Sequence, residues 1–267
     1  MRKILLLCAM FSCGDGPSQL VAATTPQGIT ADLPDDPVPV VPPEDPIEDP
    51  GPCPSLGGAM VVVSEGAWLH GPHNEPASLP AFCIDRTEVS AAAFNACVAA
   101  SACSAYDLWP LCQTLEEKSP NQCKPDASEW PANYIDWARA LEFCTWAGKR
   151  LPTQAEWEKA ARGTDGRTYP WGNTLSCDKA HVARGSVYTE CIDVGGLPNR
   201  PVEVTAYATS ASPYGALNMI GNVTEWVEFR ADLSSVPASG TYAAAKGGEW
   251  RQADSYLLAF SYDGMLG

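Results

Sequence analysis

Asn218, Gly221, Val223 and Glu225 lie within eight residues of one another and can offer two side-chain oxygens and two backbone carbonyls to a common point. Hard oxygen donors of this kind are what calcium takes. The same stretch also suits a capped turn, in which Asn218 and Glu225 satisfy backbone groups without metal, and the residues alone leave both open. Histidine is scarce, with only His70, His73 and His181 in the chain. His70 and His73 fall in a Gly/Pro-rich stretch rather than on a helix face, so they match no zinc-protease motif and are expected in a solvated loop. No Gly-x-Ser-x-Gly elbow and no phosphate-cradling glycine loop occurs.

Nine of the 11 cysteines lie between Cys53 and Cys191, and none of these pairs has the two-residue spacing of a zinc knuckle. That density favours structural disulfides in an oxidising compartment. Short-loop pairs are the simplest expectation: Cys97 with Cys103, Cys112 with Cys123, and Cys177 with Cys191. An odd number leaves at least one thiol over, or pairs it with another chain.

The elements that must position these residues begin after a different kind of sequence. Residues 1–13 read as a signal segment: Arg2 and Lys3 precede the apolar run Ile4 to Phe11, which is far shorter than the roughly 20 residues of a membrane span. Ser12-Cys13-Gly14 resembles a lipoprotein cleavage site with Cys13 as the lipidated residue, which implies a bacterial, extracytoplasmic protein of the cell envelope, anchored by lipid, or a secreted one. Residues 14–52 hold ten prolines, eight acids and no Lys or Arg. Such a segment buries too little apolar surface to offset its ordering entropy. In a polyproline conformation it would reach on the order of 100 Å, as a tether.

Residues 53–267 form the expected folded domain, and the whole chain carries a net charge of −15 with no basic run. Nucleic acid and anionic membrane surfaces are therefore poor partners. Three helices are expected: one capped by Ser90 through Ala100, one capped by Asp136 through Gly148 with Trp137, Leu141, Cys144 and Phe143 inward, and one opened by the capping box Thr153-Gln154-Ala155-Glu156 and ended at Gly163. Trp146 and Trp157 are expected to pack this helix pair, and Lys149 or Arg150 to make a structural ion pair. Elsewhere short runs such as Met60 to Val63 alternate with Gly, Pro and Ser, giving an α+β class of low regular content. No repeat period appears, which excludes solenoids and propellers.

Four ordered segments carry a resemblance. They are Met60 to Gly71, Phe82 to Ser90, Trp146 to Gly163 with Tyr169-Pro170-Trp171-Gly172-Asn173, and Ser212 to Trp226 with Lys246-Gly247-Gly248-Glu249-Trp250. Together they resemble the sulfatase-modifying-factor family, the formylglycine-generating-enzyme-like proteins. The resemblance implies that family's fold, related to the C-type lectin fold, and a structural calcium held through Asn218, Gly221, Val223 and Glu225. A second calcium site of the family would fall near His181, Val182 and Asp193, but His181 replaces the expected Asn. Family members end in an Ile/Leu-Gly-Phe-Arg-Cys strand, whereas this sequence stops at Met265-Leu266-Gly267, so the last strand is expected to be incomplete.

The family oxidase carries two cysteines just after its Gly-Gly turn, which bind copper and activate oxygen to turn a sulfatase cysteine into formylglycine. Thiolates suit Cu(I). The resemblance puts Gln252 and Leu257 at those positions, and no cysteine follows Cys191. Copper is therefore not expected. Two readings follow: a non-catalytic module, a pseudoenzyme, that binds a protein, peptide or glycan, or an oxidase that acts on a cysteine of a sulfatase-like substrate through another thiol.

Overall fold

A computed structural model describes residues 4–6, 9–11, 53, 55–105, 121–124, 126–176, 178–182, 200–229, 242–250 and 265–266. Its strands are short: β1 (Ile4–Leu6), β2 (Ala9–Phe11), β3 (Met60–Val63), β4 (Gly66–His70), β5 (Glu75–Leu79), β6 (Phe82–Asp85), β7 (Thr224–Phe229), β8 (Tyr242–Lys246) and β9 (Met265–Leu266). They make three sheets of order β1-β7-β8-β9, β2-β6-β3 and β4-β5. Helices α1 (Ala91–Ala99), α2 (Trp137–Trp146) and α3 (Gln154–Arg162) complete an α+β architecture. Among the described residues no helix is long and apolar enough to cross a membrane.

Each helix starts where a side chain answers its free N–H groups. Ser90 accepts from the Ala93 N–H, Asp136 from Arg139, and Thr153 from Glu156, whose carboxylate returns a bond to the Thr153 N–H. Gly163 ends α3 at φ 70°, with a Cβ there only 2.9 Å from Pro213. The inward face of α2 differs from expectation: Ala140, Phe143 and Cys144 are buried, while Trp137 and Leu141 are only partly covered. The shift follows from packing, since Phe143 stacks on Phe94 of α1 at 6.0 Å and Trp137 meets the edge of Trp226 at 5.6 Å.

Helix α3 lies against β4, β6, β7 and β8. Eight of its residues are buried, four of them charged. These charges have specific work. Lys159 Nζ donates to the Ser64 and Gly66 carbonyls, Arg162 donates to those of Leu69 and Gly71, and Arg150 grips Glu156 with both terminal nitrogens. Long cations thus satisfy carbonyls along β4 and on the chain either side of it. Trp157 is fully buried in a core cluster with Val63, Phe82, Ile84 and Val227. Trp146 packs on Phe143 in a second cluster around α1 and α2. The two tryptophans therefore serve different cores rather than one helix pair.

The Cys97–Cys103 bond forms, and a second bond, Cys53–Cys83, ties the start of the domain to β6 across 30 residues. Cys123 and Cys144 are disulfide-bonded as well. The expected pairs Cys112–Cys123 and Cys177–Cys191 depend on Cys112, Cys177 and Cys191, which lie outside the described residues. At the sheet margins β1 runs parallel to β7, β2 antiparallel to β6, and β9 antiparallel to β8.

Candidate functional site

The segment leading into β7 curls through three left-handed residues, Asn218 (φ 51°), Gly221 (φ 79°) and Asn222 (φ 56°). Asparagine tolerates that region and glycine prefers it. Each asparagine then uses its amide inward. Asn218 Nδ2 donates to Glu88 Oε2 (3.0 Å) and to the Val204 carbonyl (2.9 Å). Asn222 Nδ2 donates to Glu88 Oε1 (2.9 Å), while its Oδ1 accepts from the Val202 N–H (2.9 Å). Glu88, on the loop after β6, is thereby held at both oxygens.

Glu225 on β7 is fully buried. Its Oε2 accepts from the Trp157 indole N–H, and its Oε1 has no hydrogen-bond partner. Burial pushes the Glu88 carboxyl up to about 8 against the opposing pull of the two asparagines. Burial also raises Glu225 well above the usual carboxylate range, and the neighbouring Glu88 and Asp85 add to it. Asp85 is itself paired with the buried Lys149 at 2.5 Å. A buried carboxylate oxygen without a donor, beside two further acids, marks a place short of positive charge. A hard cation bound at that oxygen would relieve it, which is the donor chemistry that calcium takes. Asn218 commits its Nδ2 to Glu88 and the Val204 carbonyl, so its Oδ1 is the atom it could turn to a cation.

The turn after β8 is fastened to this segment. The Gly221 N–H donates to the Gly247 carbonyl (2.8 Å) and the Trp250 N–H to the Asn222 carbonyl (3.1 Å). Asn222 N–H donates in turn to the His181 carbonyl (2.8 Å). The fit leaves no room at Gly221, where a Cβ would come 2.4 Å from the His181 oxygen. Gly221→Ala is expected to cost roughly 2 kcal/mol or more, from strain and from the forced shift. A drop in the urea midpoint at unchanged slope would register it, and an unchanged midpoint would contradict the packing described.

Residues 48–263 match the Sulfatase-modifying factor enzyme 1-like domain profile. The chain belongs to the sulfatase-modifying-factor family. A formylglycine-generating enzyme of Thermomonospora curvata is 34% identical over 155 residues, covering 52% of this chain and 50% of that one. An "Inactive C-alpha-formylglycine-generating enzyme 2" of Bos taurus is 36% identical over 99 residues, covering 37% and 32%. The chain thus spans half or less of the length of these curated relatives. Treponema denticola variable protein 1 superposes with a TM-score of 0.55 at 19% identity, over 79% of this chain and 91% of that one, a likeness of fold.

Within the sulfatase-modifying-factor domain the residues singled out by sequence scatter unequally. Asn218, Gly221, Val223 and Glu225 sit together on one loop and strand. Gln252, Leu257 and Cys13 lie outside the described residues, as does Asp193. His70 ends β4 and faces Glu75 at 3.5 Å, in a hairpin rather than an open loop. His181 is buried with its ring between Tyr207 and Trp250, each 6.4 Å away, and Nε2 against the Arg200 carbonyl. Among the described residues no three His, Cys, Asp or Glu side chains converge as a metal site; the donors considered above are one carboxylate with amide and carbonyl oxygens. Sequence reasoning missed Asp85, Glu88 and Asn222. Two acids close behind the apolar run Phe82-Cys83-Ile84 were the available signal.

Proposed function

We propose that this chain is a non-catalytic binding or structural module on the formylglycine-generating-enzyme fold. One feature of the sequence supports the reading: the resemblance puts Gln252 and Leu257 where the family oxidase has its cysteine pair, and the sequence from 192 to 267 holds no cysteine. Neither an amide nor an aliphatic side chain replaces a thiolate toward Cu(I). The turn Gly247-Gly248-Glu249-Trp250 supports this register, and a bovine relative whose name calls it inactive lends support. Incubation with a Cys-x-Pro-x-Arg peptide, copper and oxygen is the test. No aldehyde above the no-protein background is expected, and its formation would restore the oxidase reading.

A structural calcium at Asn218, Gly221, Val223 and Glu225 belongs to the same proposal. Bound there, it would neutralise buried negative charge and stiffen the segment that carries the Gly247 turn. The Glu225 oxygen without a donor supports it.

The proposal also places the module outside the cytoplasm, lipid-anchored through Cys13 on the 14–52 tether. Processing at Cys13 would remove β1 and β2 and bare the edges of β7 and β6 that they cover. Mass spectrometry of protein from a bacterial envelope is expected to find a lipid-modified N-terminal Cys13. A chain that keeps Met1 would contradict the anchor.

A further inference from the structure

A cavity of about 530 Å³ lies in the loops around Trp171, and none of residues 218–225 lines it. That size is within the usual range for small-ligand pockets, roughly 300 to 1,000 Å³. One wall is a fixed aromatic plate. The Trp171 ring stacks on buried Tyr169 at 5.4 Å and 4°, and its indole N–H donates to the Thr174 carbonyl (3.1 Å). The ring is therefore held against rotation from one face and one edge.

Polar groups surround the plate. Asn173 Oδ1 is occupied by the Thr168 N–H (2.9 Å) and hydroxyl (3.3 Å), which turns its amide nitrogen to other use. Thr174 and Thr209 add hydroxyls at the lining. Arg167 is locked by two 2.8 Å bonds to Asp165 and one to the Pro170 carbonyl. The Lys179 amine has no ion pair or hydrogen bond to any described residue. Two cations thus line the cavity, while their acidic neighbours Asp165 and Asp178 do not. Asp165 balances Arg167, and Asp178 accepts from the Ser176 hydroxyl. In a chain of net charge −15 the lining itself carries cations and no acid.

We propose that the cavity binds an acidic saccharide. A pyranose offers an apolar C–H face to a flat ring and a rim of hydroxyls to amide and hydroxyl groups, which is the arrangement here. Its carboxylate or sulfate meets Lys179, with Arg167 behind as a held charge. The inference deepens the binding-module reading by naming a ligand class, and it rests on that reading only for its biological sense. The aldehyde assay judges the module reading; the sugar experiment judges the cavity.

The full chain is applied to an array of uronate-, sialate- and sulfate-bearing oligosaccharides with their uncharged counterparts, and the best acidic binder is titrated calorimetrically. That binder is expected to exceed its uncharged counterpart by about tenfold. Trp171→Ala should weaken both by at least about tenfold, and Trp171→Phe should keep most of the affinity, which guards against a fold defect in the alanine variant. Lys179→Gln should erase the acidic preference and leave uncharged-sugar binding alone. No acidic sugar binding above its counterpart, or binding indifferent to both Trp171→Ala and Lys179→Gln, overturns the proposal.

Discussion

Glu158→Ala is expected to destabilise the fold by about 3 kcal/mol, near the lower end of what breaking a buried charge network costs. Glu158 Oε1 accepts from the Gly71 N–H (2.6 Å) and from Arg162 (2.6 Å), and Oε2 accepts from Lys246 (3.3 Å). All three charged side chains are at most 8% exposed. Removing the carboxylate strands two cations, but neither is left without recourse. Arg162 still donates to the carbonyls of Leu69, Gly71, Gly166 and Arg167 and to Asn74. Lys246 already has its proton loosened by burial, and without Glu158 it can fold neutral. The loss should therefore shrink as pH rises above neutrality. Urea unfolding at several pH values checks it, and a loss below about 1 kcal/mol would mean that the network is not what holds α3 to β8. The consequence reaches the site, because Lys246 directly precedes the Gly247-Gly248 turn.

The second large effect is a dependence on pH that calcium should reverse. Glu88 and Glu225 both hold their protons more tightly folded than unfolded. The folded chain then binds more protons between the unfolded carboxyl value near 4.5 and the folded value of about 8 for Glu88. Stability is full below that window and falls as pH rises through it. For Glu88 alone the span corresponds to at most on the order of 5 kcal/mol, and at roughly 2–4 °C per kcal/mol the melting temperature should fall by at most about 10–20 °C. This holds in chelator. At the proposed calcium site the ion would take the ionised form, so an excess should stabilise the chain most at the high end, by about 4 kcal/mol at a thousandfold over Kd. Glu225→Gln should remove the calcium response while making the apo protein less sensitive to pH. Coincident melts with and without chelator would leave the site as a hydrogen-bonded turn.

Local chemistry made part of this fold legible in the sequence. Ser90, Asp136 and the Thr153–Glu156 box each mark a helix start because capping involves residues only two or three apart. Cys97 and Cys103 pair for the same reason of short range. The Cys53–Cys83 bond was not legible, since it depends on where β6 lies relative to the start of the domain. The buried acids were hidden differently. Glu88 meets Asn222 across 134 residues, and an isolated Glu or Asp reads as surface until the topology buries it. The α2 face was legible at Phe143 and Cys144 but not at Ala140, because the aromatic neighbours Phe94 and Trp226 turn the helix so that Trp137 and Leu141 are only partly covered. Residues 4–11 read as a signal core by composition, while β-pairing gives Ile4–Leu6 and Ala9–Phe11 a place at two sheet edges. The sugar-sized cavity has no linear signature beyond Tyr169-Pro170-Trp171-Gly172-Asn173, because Thr209 and Lys179 join it only in the fold.

As proposed, this member of the sulfatase-modifying-factor family keeps the fold without the oxidase chemistry. The most direct measurement follows a Cys-x-Pro-x-Arg peptide by mass spectrometry in the presence of copper and oxygen, with a cysteine-bearing formylglycine-generating enzyme run in parallel. The parallel enzyme is expected to convert the cysteine to the aldehyde, while this chain leaves it at the no-protein background. Catalytic conversion by this chain, at more than one turnover per molecule, would contradict it.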